Sequence, residues 1–266
     1  MMKTEKKVKQ QARQALHGNI VPLIAALGLC AMVFLLIEYL SYIPVVLCGL
    51  MNVDVNVILA SDKLELSAFL IQFGNYAAIL FAMPLVNGFL KTAANAALKQ
   101  DCAATDVFYY FKTARKYFKT VALDAILFLF YAFITNVLDV YRYISESIHA
   151  NLFAGIERFD AQTVILFAAL VSSAVIKLFF YMIFLHYPLL AYALNDKKSV
   201  GYYAFLLIDF SGFHFINVLK LFFSYLGWFA LCFFVVPVLY VAPYVVTGSL
   251  ISAKWLFELD RNRGIV

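Results

Sequence analysis

Few side chains in this sequence of 266 residues could do chemistry, and the sharpest case is a lysine set in grease. Lys177 is the one full charge inside the otherwise apolar stretch 163–194. As a helix that stretch would measure about 48 Å, more than the ~30 Å of hydrocarbon in a bilayer. A lysine inside it costs about 2.5–3.5 kcal/mol unless it is paired or can snorkel. Asp124 stands in a second apolar run, 120–138, and the two residues lie equally far from a loop centre near residue 150. An antiparallel hairpin would therefore set them level, about 9–10 Å from the cytoplasmic edge of the hydrocarbon. Three readings stay open. The pair is a gate or proton-linked site, or it is an ion pair that locks two helices. In the third, Lys177 snorkels to phosphates and Asp124 meets Lys119 or Lys116 near the surface.

Glu38 is the next candidate. It lies about 27 Å along a helix from Ile20, close to the outer interface and too far from Lys177 to meet it. The same hairpin reasoning puts it level with Asn75 and near Gln72, a candidate polar site. A carboxylate resting at the outer headgroups is the plainer alternative.

His17, His149, His186 and His214 are scattered, with no H-x-x-x-H or H-E-x-x-H spacing. Cys30, Cys48, Cys102 and Cys232 form no C-x-x-C pair, and three of them lie in apolar spans. Walker, G-x-G-x-x-G and G-x-S-x-G patterns are absent. No metal, cofactor or catalytic set is expected, and the chain reads as no enzyme.

The elements that must position these residues are helices in lipid. Hydrophobic residues make up 64% and charged residues 14%, too apolar for one soluble core. The fold class expected is all-α: a polytopic membrane protein of six transmembrane helices with short cytoplasmic amphipathic helices. It forms one integral membrane domain over 1–266, with spans near 20–47, 67–90, 120–138, 163–190, 219–240 and 241–257. The first apolar run is too long for a signal-peptide core and reads as retained. Pro84 is a candidate kink, and an Ala-rich helical extension, 92–98, follows span 2 beyond the lipid. Pro237 and Pro243 favour a break that divides spans 5 and 6 by a tight turn.

Between the spans, 1–18 reads as a basic helix lying on anionic lipid, with Val8, Ala12, Ala15 and Leu16 as its apolar stripe. Residues 51–66 read as a polar loop. In the basic loop 99–119, Thr105 and Asp106 can cap a short helix whose apolar face is Val107, Phe108, Phe111 and Phe118. Residues 139–161 read as an amphipathic helix on the outer interface. Another helix within 195–218 presents Tyr203, Leu206, Leu207 and Phe210 to lipid or core.

Cations set the orientation. With six spans, Lys63, Arg142 and Arg158 alone fall outside, Lys177 lies within a span, and all other Lys and Arg share the side of both termini. The acids divide evenly. The positive-inside rule then makes both termini cytoplasmic in a multi-pass plasma-membrane protein. The net charge of +5 is thus retained topology charge and implies no nucleic acid. A coarse repeat also shows: a short cytoplasmic helix leads into a pair of spans, beginning near residues 1, 99 and 195.

Short motifs accompany this order: Ala12-Arg13, Leu16 and Gly18-Asn19; Pro84 and Gly88; Asp106-Val107-Phe108 with Phe111-Lys112; Tyr192 and Asp196; Gly227-Trp228 and Pro243-Tyr244. With them the chain resembles the bacterial integral-membrane family known as domain of unknown function 975, over nearly its whole length. The family's Pro-Gly in span 4 is absent, with Ala174-Val175-Ile176 before Lys177. Val235-Val236-Pro237 replaces its glycine-rich turn between spans 5 and 6. The resemblance implies a polytopic membrane protein with no assigned activity and no catalytic residues to carry over.

The expected partners are the lipid bilayer, anionic headgroups at the cytoplasmic face and another membrane protein. The expected role is a non-enzymatic scaffold or partner-binding protein. The competing role is a transporter or channel for a small solute or lipid. A continuous polar path separates them, drawn from Glu38, Gln72, Asn75, Asn87, Asp124, Asn136, Ser172, Ser173 and Lys177.

Overall fold

The computed structural model describes residues 2–47, 62–137, 181, 185–213, 215–232 and 236–262. Among these residues every regular element is helical. They are α1 (Met2–Leu16), α2 (Ile20–Leu47), α3 (Asp62–Ala97), a 3-10 helix (Ala104–Phe111) and α4 (Ala114–Val137). Next come α5 (His186–Leu194), α6 (Val200–Phe213), α7 (Phe215–Leu231) and α8 (Val238–Asn262). Residues 139–161 and most of 163–190 lie outside the described residues.

Two helices, Ile20–Leu47 and Leu66–Ala97, are long and apolar enough to cross a membrane. Only 17% of the most apolar stretch of each is buried inside the protein. On α2 the buried side chains are Leu23, Ala26 and Cys30, all in its first half. Beyond them Met32, Leu35, Leu36, Tyr39 and Leu40 are all exposed. A soluble core helix would hide these residues.

α1 carries Glu5 in its first turn and Arg13 in its last, each matching the helix dipole. Val8, Ala12 and Leu16 recur at steps of four and are buried, while Ala15 is half-buried. Protein covers this stripe, where lipid was expected: α1 packs on α8. A Cβ on Gly248 would stand 3.6 Å from the Ala12 Cβ. The chain leaves α1 through Gly18 at φ +92°, a left-handed position that suits glycine.

α3 runs unbroken through Pro84 and begins at Asp62, so the end of the expected 51–66 loop is already helix. The helix continues through the Ala-rich stretch to Ala97. Its end is a Schellman turn: Gln100 N–H bonds Asn95 O at 2.9 Å, and Lys99 N–H bonds Ala96 O at 3.1 Å. Lys99 holds φ at 58°, where glycine is normal. Side chains pay about 1–2 kcal/mol there. Lys99→Gly is therefore expected to stabilise the protein by about 1 kcal/mol. A thermal melt in detergent measures this; an unchanged or lower midpoint refutes it.

The short helix of the basic loop is present but turned. Val107 and Tyr110 are fully buried, whereas Phe108, Phe111 and Phe118 are exposed. Its 3-10 geometry puts Val107 with Tyr110 on one face and Phe108 with Phe111 on another, Gly88 lies against the backbone of Val107, and Phe118 falls on the next helix. α4 then starts at Ala114, earlier than the span expected at 120, with the Thr113 hydroxyl accepting from Lys116 N–H at 3.4 Å.

The break expected between the last two apolar stretches also moves. α7 ends at Leu231, a turn at Val236–Pro237 follows, and α8 starts at Val238. Pro237 precedes the first turn, where its missing N–H is harmless, and Pro243 lies within the helix. The expected boundary at 240/241 is thus too late.

α3, α5 and α8 carry Pro84, Pro188 and Pro243, and each packs against the other two. Each also rests on the short helix that follows in the repeat: α3 on the 3-10 helix, α5 on α6, and α8 back on α1. That closed ring is the contact pattern of a threefold repeat. On α6 the repeat buries Tyr203, Leu206 and Leu207.

Candidate functional site

Asp124 sits on α4 and is 3% exposed, and Asn87 on α3 is 1% exposed. The Asn87 amide Nδ2 donates to Asp124 Oδ1 at 2.9 Å and Oδ2 at 2.8 Å. A buried carboxylate so engaged avoids the several kcal/mol of an unpartnered one. Lys177 lies outside the described residues; among those, the partner of Asp124 is Asn87. The surface alternative for Asp124 is overturned. Lys119 Nζ donates to the Asp196 carbonyl and, at 2.5 Å, to the Lys198 carbonyl, while Lys116 Nζ lies 3.7 Å from the Tyr109 ring centroid.

One turn before Asp124, the Thr120 hydroxyl donates to Lys116 O at 2.8 Å and accepts from Tyr192 OH at 2.8 Å. Tyr192 stacks on Tyr110 at 5.1 Å and meets Tyr203 edge-on at 5.0 Å. Around this column gather the basic side chains. Lys91 Nζ donates to Ala193 O at 3.0 Å, at the C-terminus of α5, and Tyr109 OH donates to the Asp196 carboxylate at 3.0 Å. Lys91 thus caps a carbonyl at the negative end of α5, while Lys119 holds the loop between α5 and α6 through its carbonyls. Burial lowers the pKa of both, opposed by the nearby Asp196 carboxylate. Burial likewise raises the Tyr203 phenol to about 12 and the Cys102 thiol to about 11.

Glu38, Gln72 and Asn75 make no hydrogen bond or ion pair with one another among the described residues. Glu38 and Gln72 are exposed, and Gln72 Nε2 donates to Tyr76 OH at 3.3 Å on its own helix. Asn75 is half-buried, and its enclosed Oδ1 accepts no hydrogen bond among the described residues. The side chain of Asn136, and Ser172 and Ser173, lie outside the described part. Among the described residues no three His, Cys, Asp or Glu side chains gather as a metal would require.

Two clefts that the sequence does not mark open where α3, α5 and α8 end. One, of about 530 Å³, lies between α5, α6 and α8; the other, of about 640 Å³, between α1, α3 and α8. Lys254 and Leu98 line both. The only sequence signal for them is Lys254, the one charge in span 6, where the end of a helix could be expected to meet water.

The residues that carry the family resemblance have structural positions here. Gly88 lies against the backbone of Val107, and Asp106 accepts from Asn95 at 3.1 Å and from Ala103 N–H at 3.2 Å. Arg13 lies 6.0 Å from the Tyr244 ring centroid, which is 5.3 Å from that of Trp228. No family model matches the chain, and no curated protein and no solved structure is significantly similar to it.

Proposed function

We propose that the chain is a six-span integral membrane protein with both termini in the cytoplasm. It acts as a non-enzymatic scaffold that binds anionic headgroups and holds a second membrane protein. One observation favours this reading over transport: among the described residues the polar groups expected inside the membrane do not line a path. Both Asp124 carboxylate oxygens accept from Asn87 Nδ2, and Glu38 and Gln72 are exposed. Exposed apolar side chains along α2 and α3 supply the lipid contact. Lysines at the inner helix ends supply headgroup contact, worth about 1 kcal/mol each on an anionic leaflet. The proposal also retains kinship with domain of unknown function 975, whose motif residues lie at packing points between the repeated units.

Reporter fusions after residues 60, 100, 150, 200 and 266 are expected to give out, in, out, in and in. A cytoplasmic signal at residue 150 would sink the six-span reading. Specific solute uptake by reconstituted protein would replace the scaffold with a transporter.

A further inference from the structure

The 530 Å³ cleft has a polar wall made mostly of donors. Lys198 and Lys254 contribute ammonium groups. Asn195 Oδ1 already accepts from Lys197 N–H at 3.1 Å, which leaves the Asn195 amide N–H pair for the cleft. Among the described residues Lys198 has no carboxylate partner; its ammonium lies 5.3 Å from the Tyr202 ring centroid. Among the described residues the acid that meets Lys254 is Glu258, at 3.9 Å and one turn away on the same helix. Leu194 and Phe257 add apolar surface to the same lining.

Two ammonium groups and an amide line this cleft with one acid, beside apolar side chains. That wall suits an anion with several acceptor oxygens and an apolar body. The volume is within the usual range for small-molecule sites. A second observation points the same way. Lys99 lines the adjoining cleft with Lys254 and keeps a side chain where its backbone angle of φ 58° favours glycine.

We propose that this cleft binds the phosphate group of an anionic amphiphile, held by Lys198, Lys254 and Asn195, with its apolar part against Leu194 and Phe257. This rests on the membrane reading above. The shared chemistry is a phosphate, carried by a lipid headgroup or free in solution.

The test uses the full chain in mild detergent, incubated with phosphatidylglycerol, phosphatidylcholine or sodium phosphate, and read by native mass spectrometry. Phosphatidylglycerol is expected to be retained over phosphatidylcholine by about tenfold, and Lys198→Gln/Lys254→Gln to lower that retention by about tenfold or more. The comparison variant Lys6→Gln/Lys7→Gln removes the same charge from exposed positions of α1, which meet only the general headgroup layer, and is expected to lower retention by far less than the cleft variant. Lys254→Arg, which keeps the charge, is expected to retain the lipid and so separates lost binding from lost fold. Displacement of the lipid by inorganic phosphate, together with phosphate adducts that Lys198→Gln/Lys254→Gln abolishes, keeps the site and makes free phosphate its source. Equal retention of both lipids, equal loss in both double variants, or no loss in either overturns the proposal. Wild-type protein with the expected topology that retains no phosphatidylglycerol and no phosphate overturns the cleft alone. A soluble chain would instead overturn the membrane reading.

Discussion

Gly88→Val is expected to abolish accumulation of folded protein. A Cβ at Gly88 would stand 1.8 Å from the Val107 carbonyl oxygen, 2.5 Å from its carbon and 2.8 Å from its Cα. All three atoms are backbone, so no rotamer change relieves the clash. Overpacking costs about 1–3 kcal/mol where side chains can yield. Here α3 must separate from the 3-10 helix. That movement would pull Val107 and Tyr110 out of the core and disturb the stack of Tyr110 on Tyr192. A loss above about 3 kcal/mol follows, a large share of the 5–15 kcal/mol that stabilises a typical protein. Gly28→Ala and Gly74→Ala are the controls, because nothing lies within 4 Å of a Cβ at either position. They are expected to be neutral or to gain up to about 1 kcal/mol from helix propensity. Fluorescence-detected gel filtration with a temperature ramp compares the three variants. A monodisperse Gly88→Val protein melting like the wild type would show that the close approach is not needed.

The part of the fold that was legible follows from local chemistry. Apolar runs, the placement of Pro237 and the spacing of Val8, Ala12 and Leu16 each act within one or two turns of chain. The stripe on α1 could be read as buried, but its partner could not: lipid and α8 demand the same apolar residues. The 3-10 helix was misread for a related reason. A spacing of three puts Val107 with Tyr110, and Phe108 with Phe111, so the sequence offers two apolar faces. Gly88, far along the chain, decides which one the bundle takes. The candidate site was least legible. Counting residues along ideal hairpins levelled Asp124 with Lys177 and Glu38 with Asn75, but height along a helix says nothing of rotation about its axis. Asn87 appeared among the polar groups, yet only the packing of α3 on α4 reveals that it faces Asp124.

That pair yields the second large effect. Asn87→Leu removes the donor that Asp124 uses through both carboxylate oxygens and leaves a buried acid behind. Hydrogen bonds to charged groups contribute about 1.5–3 kcal/mol, and stranding the charge costs about 3–5 kcal/mol. Asp124→Leu strands only a neutral amide, which Nδ2 can still offer to Met83 O, 3.4 Å away. Its cost is expected near 1–3 kcal/mol. The double variant Asn87→Leu/Asp124→Leu removes both polar groups and is expected to be more stable than Asn87→Leu by about 2 kcal/mol or more, since apolar replacements of buried polar pairs are often neutral or stabilising. Denaturation of the four proteins in one detergent closes the double-mutant cycle. Strictly additive losses would show that the two side chains do not depend on each other, and the 2.8–2.9 Å contacts would then carry no stability. The same cycle bears on function. A polar pair that can be replaced by leucines without loss of lipid or partner binding acts as a clasp between α3 and α4. A solute or proton path through the bundle would lose its function in the double variant while its stability recovered.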